Sequence, residues 1–471
     1  MKQKNIKIVI YIFIVLSTIG CSIDDITPLN LLTEENVVQD EASAEALLNR
    51  VYNLQRSFEY SWVLSGMTLS GTEQDRINGF FNDEGFATNN VLDTNGTILG
   101  AYIIFYNIIN HANFLIDQLE AGKAPDLSET RKKEMIAEAR LFRALSHFNL
   151  LRHFGKFYDL SSDLGIVVSS SPINEAVYLE RNTVQETYRS IVEDLQFTVL
   201  NAPSGREHYY VNSTFAQSLL AKVYLYMGNF DNAAATSLNV INNTDTFSLE
   251  PVYEDIFSKR WKSSEVLFAP FVDGSTEKGP PIFFGINVMS PSSLFRVLAD
   301  DQDGVSNDGD IATNSSGYDP RFMFAYNVNT LETTGNGKYP FVDFSLNDDQ
   351  GNTFYYMRMA EVYLIYAEAE ARRSGGVLSD ALQRLNQIRN RAGVAPKKLV
   401  NQINLLEDIR NEKMLELFTE SAETWFDLVR YDRLGELNIV DFKPSIATEN
   451  KLILPIPRNA LSGNNLLVPN P

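Results

Sequence analysis

The stretch from Phe215 to Ile241, FAQSLLAKVYLYMGNFDNAAATSLNVI, leaves the chain little choice of architecture. Leu220, Ala221, Tyr224, Gly228, Phe230 and Ala233 fall at the offsets of a tetratricopeptide-like helical hairpin. In such a hairpin small residues let two antiparallel helices approach closely, and Gly228 permits the tight turn between them. The usual Trp position is Gln217, so the repeat is degenerate. One hairpin of this kind cannot bury its apolar face alone and needs neighbours stacked on it.

Those neighbours are visible as further helical periodicity. A first helix is expected over Ala42–Phe58, with Ala46, Leu47, Val51 and Leu54 on its apolar side. Tyr102–Leu119 follows, carried by Ile104, Ile108, Ala112 and Leu115. Glu129–Phe154 has Leu141, Leu145 and Phe148 at i, i+4, i+7, and its second half is apolar most of the way round, the mark of a helix buried on several sides. Gly155 ends it. Thr183–Leu200 comes next, then, much later, Ala360–Arg373 and Asp380–Arg391, with Ser379 as expected N-cap and Gly393 as stop. Paired, these helices form hairpins stacked in a superhelix, and the fold class is mainly α.

Two regions break the pattern. Residues 61–97 read as irregular, and residues 242–353 as a loop-rich excursion with short β strands such as Glu265–Phe268. The helical scaffold thus divides into 41–241, with an insertion near 61–97, and 354–471, which ends in the extended tail LILPIPRNALSGNNLLVPNP. Long irregular insertions on a rigid scaffold usually carry recognition.

The N-terminus addresses the chain. Lys2, Lys4 and Lys7 precede the apolar run Ile8–Leu16, and Gly20-Cys21 follow, so residues 1–20 read as a secretory signal. No later stretch approaches 18 consecutive apolar residues, and no transmembrane helix is expected. Cys21 is the only cysteine, so an internal disulfide is impossible. STIGC resembles a bacterial lipobox, with Thr18 where Leu is preferred, and this makes Cys21 the lipid attachment point. Residues 21–40 are then a lipidated tether, and Ser22 to Asp25 resemble an acidic surface-export tag of Bacteroidetes lipoproteins. The formal net charge is -20, which excludes a nucleic-acid footprint and disfavours anionic lipid head groups.

Reactive constellations are few. His111, His147, His153 and His208 make no i, i+4 zinc pair, and neither a G-x-S-x-G elbow nor a Walker or dinucleotide glycine motif occurs. Asp301, Asp303 and Asp308 offer hard oxygens to a structural calcium but lack EF-hand spacing, so a solvated acidic loop is the competing reading; no other cofactor is expected. In Ile409–Arg430, read as one helix, Leu415, Phe418, Ala422, Trp425 and Val429 form an apolar stripe, beside a row of Glu412, Glu416 and Glu420. Carboxylates on one face of one helix point the same way and cannot flank a glycosidic bond from opposite sides, as hydrolysis needs. Pairing with Arg410, Lys413, Arg430 or backbone donors is their expected use, and no catalytic residue is assigned. In the insertions, Trp62, Phe80, Phe81, Phe86, Trp261 and Tyr318 are candidate platforms for pyranose C–H faces, with Asp75, Arg76, Asn78 and Asn82 for the hydroxyls.

Several motifs converge on one family. EARLFRALSHFNLLRHFGKF (Glu138–Phe157), YDPRF (Tyr318–Phe322), MRMAEVYLIYAEAEAR (Met357–Arg372), ALQRLNQIRNRAGV (Ala381–Val394), IRNEKMLEL, WFDLVR and LILPIPRNAL resemble, in order, SusD/RagB-like lipoproteins of Bacteroidetes. The family's Glu-Gly-x-Arg-Trp before FDL is altered here, since Glu420–Trp425 lacks both the Gly and the Arg. The resemblance implies a surface lipoprotein of the outer membrane that binds oligosaccharide or polysaccharide without catalysis and passes it to a SusC-like TonB-dependent transporter. A surface glycoside hydrolase and a helical-repeat adaptor for another protein are the alternatives.

Overall fold

The computed structural model describes residues 37–76, 85–243, 245–272, 289–300, 302, 317–326, 337–339 and 352–471. The signal segment, Cys21 and most of the tether lie outside the described residues. Helix α1 (Glu41–Leu54) opens on Asp40, whose carboxylate accepts from the Ser43 amide at 2.8 Å while Ser43 Oγ accepts from the Asp40 amide.

The chain then turns and re-enters helix as α2 (Phe58–Ser70), N-capped by Ser57, where an irregular stretch was expected from Ser61 onward. The Ser- and Gly-rich sequence WVLSGMTLSG is helical because it is buried, not because it is amphipathic. Ser65 and Thr68 donate to carbonyls three or four residues back, so their hydroxyls are satisfied without solvent. The glycines serve close approach: a Cβ on Gly66 would stand 2.8 Å from the Phe86 ring, and one on Gly71 would stand 3.3 Å from the Trp425 amide nitrogen. Strand β1 (Gln74–Arg76) follows directly.

Helices α3 (Gly96–Glu120), α4 (Glu129–Phe154), α5 (Val184–Asn201), α6 (Ser213–Tyr226) and α7 (Phe230–Asn242) stack in sequence order, each on the one before. By length and composition α3 could cross a membrane, yet it packs against α1, α2 and α4. From Met135 to Phe154 every side chain of α4 except Arg140 is buried, as its all-round apolar character predicts. Gly228, at φ +70°, makes the α6–α7 turn.

The superhelix skips the excursion. Helix α8 (Tyr253–Lys259), strands β2 (Val266–Phe268) and β3 (Met289–Pro291), and helices α9 (Ser293–Asp300) and α10 (Pro320–Tyr326) intervene. Then β4 (Met357–Arg358) pairs antiparallel with β2, and α11 (Met359–Arg372) packs straight onto α7. The β2–β4 ladder therefore closes the neck of the excursion, while β1 pairs antiparallel with β3. Helix α12 (Leu378–Arg391) completes a hairpin with α11; it starts one residue before the expected cap Ser379, and its cap position is Val377.

The expected single helix Ile409–Arg430 is two. Helix α13 (Gln402–Leu417) stops, Thr419 and Ala422 take positive φ of 63° and 56°, and α14 (Glu423–Arg433) starts in a new direction. Trp425 is a core ring, as its place on the apolar stripe implied. Short helices α15 (Ile439–Phe442) and α16 (Arg458–Gly463) punctuate the tail. The tail, expected to be extended throughout, is interrupted by α16; it closes the C-terminus of α4, where Leu454 N donates to His153 O at 2.8 Å and Asn470 Nδ2 to Phe154 O at 2.9 Å.

Gly66→Val drives a branched side chain into the Phe86 ring and is expected to cost about 1–3 kcal/mol. Adding Phe86→Leu should recover part of the loss; urea denaturation of the single and double variants checks both.

Candidate functional site

The carboxylate row of α13 is where the excursion is attached to the scaffold. Glu412, Glu416 and Glu420 are buried, and their partners come from elsewhere in the chain than the expected Arg410, Lys413 and Arg430. Arg321, on α10, forks onto Asp319 (Nε–Oδ1 3.1 Å, Nη2–Oδ2 2.8 Å) and donates through Nη1 to Glu412 at 2.7 Å and Glu416 at 2.8 Å. Arg358, on β4, forks onto Glu420 at 2.8 Å and 2.8 Å, and gives its other donors to Glu265, Glu416 and the Glu416 carbonyl. All five guanidinium N–H groups of Arg358 are thereby used. From α12, Arg389 reaches Glu412 at 2.7 Å, and Arg391 bridges Glu265 at 2.7 Å and Glu416 at 2.5 Å.

Lys338 completes the lattice. Its ammonium donates to Glu420 at 2.8 Å and to the terminal carbonyls Glu416 O (3.1 Å) and Phe418 O (2.9 Å) of the α13 end, and lies 3.7 Å from the Phe418 ring centroid. That cation is why α13 can stop and turn at non-glycine residues with positive φ. Burial alone would raise the Glu416 carboxyl, but Arg391, Arg358 and Arg321 overcome it and hold the acid well below the usual carboxylate range. Glu420 is likewise raised by burial but lowered on balance by Arg358 and Lys338, whereas burial pulls Lys338 down to about 8. Neither a solvated face nor an acid/base pair describes these residues: each carboxylate is already saturated by cations.

Above this lattice the two insertions meet. The β1–β3 ladder sets Gln74 opposite Pro291, Asp75 opposite Ser290 and Arg76 opposite Met289. Its near end is pinned from both strands: Ser292 N donates to Glu73 O at 3.1 Å and Ser292 Oγ to Thr72 O. Behind it, Phe295, Phe322, Tyr326, Leu415 and Phe418 form a separate small core joining α9 and α10 to α13. Glu73 sits between the junction and the α13–α14 turn, accepting from Thr424 Oγ1 at 2.9 Å and Thr419 N at 3.3 Å, with Oε1 unpartnered. Burial pushes its carboxyl up to about 7 against those two hydrogen bonds.

The sequence-predicted ligand residues scatter. Asp75 and Arg76 lie on β1 at the junction. Asn78, Phe80, Phe81 and Asn82 lie outside the described residues, as do the calcium candidates Asp301, Asp303 and Asp308. Among the described residues no cluster of three or more metal-ligating side chains occurs. Trp62 is half-buried on α2 against the main core, and Tyr318 is half-buried with its ring 4.7 Å from Phe322. Two expectations are corrected. Phe86 is 0% exposed, packed against Gly66, and Trp261 is 8% exposed, donating Nε1–H to Val272 O. Both rings are packing elements, because loops carrying large apolar rings bury them against the scaffold. Sequence reasoning missed Arg321, Arg358, Arg389, Arg391, Lys338 and Glu73; YDPRF and MRMAEV were visible as motifs, but nothing local tied their arginines to α13.

The SusD family profile matches residues 332–471, and the family described as "Starch-binding associating with outer membrane" matches residues 29–225. A SusD-like protein P2 of Formosa agariphila is 26% identical across 99% of both chains, and a SusD-like protein of Bacteroides ovatus is 24% identical over 83% of this chain and 75% of its own. A SusD superfamily structure from Bacteroides thetaiotaomicron superposes with TM-score 0.74 at 23% identity, over 92% of this chain and 100% of that one. A laminarin-binding SusD-like protein superposes with TM-score 0.67 at 23% identity, over 92% and 99%.

Arg358→Met strips the lattice of its central cation and leaves Glu420 and Glu265 under-paired. The expected cost is about 3–5 kcal/mol in urea unfolding, with faster proteolysis within residues 243–356. Glu73 gives a pH signature. The folded chain holds its proton to about pH 7 and the unfolded chain only to 4.5, so raising pH through that window favours unfolding by on the order of 3 kcal/mol. Glu73→Gln lacks this contribution; the stability difference between wild type and variant should fall from pH 4.5 to 7 and stay flat above, as thermal or urea unfolding across pH measures.

Proposed function

We propose that the chain is a SusD/RagB-like protein and acts as a non-catalytic, lipid-anchored glycan-binding protein of the cell surface that captures oligosaccharide and delivers it to a SusC-like TonB-dependent outer-membrane transporter. The observation that carries the reading is the β1–β3 ladder. It joins the two long insertions of a helical scaffold into one recognition surface, and that surface is held from beneath by the buried lattice of α13. The outer-membrane and starch-binding description of the N-terminal family, and the laminarin binding in the name of a structural relative, support both the location and the ligand class.

In this reading Asp75 and Arg76 on β1, Asn78, Phe80 and Phe81 that follow in sequence, and the half-buried rings of Trp62 and Tyr318 supply hydrogen bonds and ring faces to sugar. Cys21 carries the acyl chains, and residues 22–40 tether the body so that it can swing on the transporter without leaving the membrane. Capture and release need shape, stacking and motion, with no covalent step.

Affinity electrophoresis of the purified protein against a panel of neutral polysaccharides should show retardation on at least one, with no reducing sugar released. Purification from outer membranes should bring down a TonB-dependent barrel. Retardation without any barrel would remove the delivery role, and reducing sugar lost on mutation of the protein would establish the hydrolase alternative.

A further inference from the structure

At the far end of α2 from the β1–β3 junction lies a second recess, a cavity of about 480 Å³ between the C-terminal half of α1, the Tyr209–Tyr210 loop and the strand exit Phe268–Phe271. Helix α2 has 13 residues, so the two places are roughly 20 Å apart along its axis. The volume falls within the ~300–1,000 Å³ typical of small-molecule sites.

Its walls combine rings with amides. Tyr209, Tyr210 and Phe271 are half-exposed; Tyr209 lies 4.6 Å from Tyr210 at 45° and 5.0 Å from Phe271, so the rings are tilted and do not cover one another. Buried Trp261 meets Tyr209 edge-on at 4.8 Å and fixes its plane from behind. The Arg206 guanidinium rests 3.5 Å from the Tyr210 centroid and is itself held by Glu138. Opposite, Asn49 and Asn53 stand exposed at i, i+4 on one face of α1.

Gln55 points to a ligand independently of the rings. It lines the cavity, is 4% exposed, and its Nε2 has no hydrogen-bond partner. Its backbone carbonyl accepts from Tyr356 Oη at 2.7 Å, and the same hydroxyl stands 3.2 Å from its side-chain oxygen, which holds the amide in place with Nε2 unpartnered. A buried donor left unsatisfied is costly, and an incoming oxygen would relieve it.

We propose that this cavity is a second carbohydrate subsite, taking one neutral pyranose unit whose C–H face packs on Tyr209 and Phe271 and whose hydroxyl oxygen accepts from Gln55 Nε2. Neutral amides and phenols dominate the lining, and a chain of net charge -20 repels polyanionic glycans. The choice of sugar rests on the glycan reading above; the cavity and its unspent donor do not.

The test is saturation-transfer difference NMR on the full mature chain with glucose, galactose, mannose and xylose at millimolar concentration. At least one should receive saturation on its ring protons. Binding should weaken about fivefold or more in Tyr209→Ala and in Gln55→Leu, and stay unchanged in Val400→Ala, an exposed side chain that does not line the cavity. Circular dichroism verifies folding of each variant, and Tyr209→Ala, at a half-exposed ring, decides if Gln55→Leu fails to fold. No transfer to any of the four sugars, or transfer unaffected by Tyr209→Ala, overturns the subsite. If that happens while polysaccharide retardation persists, the glycan reading stands without it. If monosaccharide binding at Tyr209 persists with no polysaccharide retained, the subsite stands and the wider reading falls.

Discussion

Ten buried charges around one end of one helix hold the rest of the molecule in register. Asp319, Glu265, Glu412, Glu416 and Glu420 face Arg321, Lys338, Arg358, Arg389 and Arg391, five against five, all nearly or wholly withdrawn from solvent. Desolvating any one alone would cost several kcal/mol, and their mutual attraction offsets this only when every partner is in place. Such a lattice adds little net stability over an apolar core of the same volume. What it contributes is selectivity: an arrangement that misplaces α10, residues 337–339, β4 or α12 strands a buried ion. That explains how the described segments of the excursion are fixed to the scaffold.

The same logic recurs at the scaffold's own seam. Glu423, at the start of α14, accepts from Arg152 and Lys222 at 2.5 Å each and from Tyr226 at 2.7 Å, so it joins α4, α6 and α14. Glu368 on α11 takes both arms of Arg430 at 2.9 Å, and Lys413 and Arg430 share Asp427. Because α11 packs directly on α7, the superhelix is continuous in space although the chain leaves it between them. The ion pairs lie where segments distant in sequence must meet, and apolar contacts fill the hairpins between them.

This division of labour suits the proposed recognition by inserted loops. The stack is the scaffold, the anchors are the lattice and the β2–β4 neck, and the β1–β3 ladder hangs from both. Glu73 links them, touching the junction through its carbonyl and the α13–α14 turn through its carboxyl. Its carboxyl is buried with one oxygen unpartnered, so that link is incompletely satisfied.

Local regularities determined much of this from sequence alone. The period of Leu141, Leu145 and Phe148, the turn at Gly228 and the stops at Gly155 and Gly393 are properties of a few neighbouring residues, and the helices appear where they require. The motifs showed which proteins this chain resembles. Tertiary structure alone decided the rest. Glu416 meets Arg358 across 58 residues and Arg321 across 95, and no window of sequence contains that choice. The break after Leu417 depends on Lys338 reaching the carbonyls of Glu416 and Phe418 from 78 and 80 residues away, so an apolar stripe that reads as one helix becomes two. Phe86 and Trp261 read as loop rings and proved to be core, because whether a ring faces solvent is settled by what folds over it. Periodicity is a short-range property of the chain, whereas the pairing of buried charges and the covering of rings are set by distances that exist only once the chain has closed on itself.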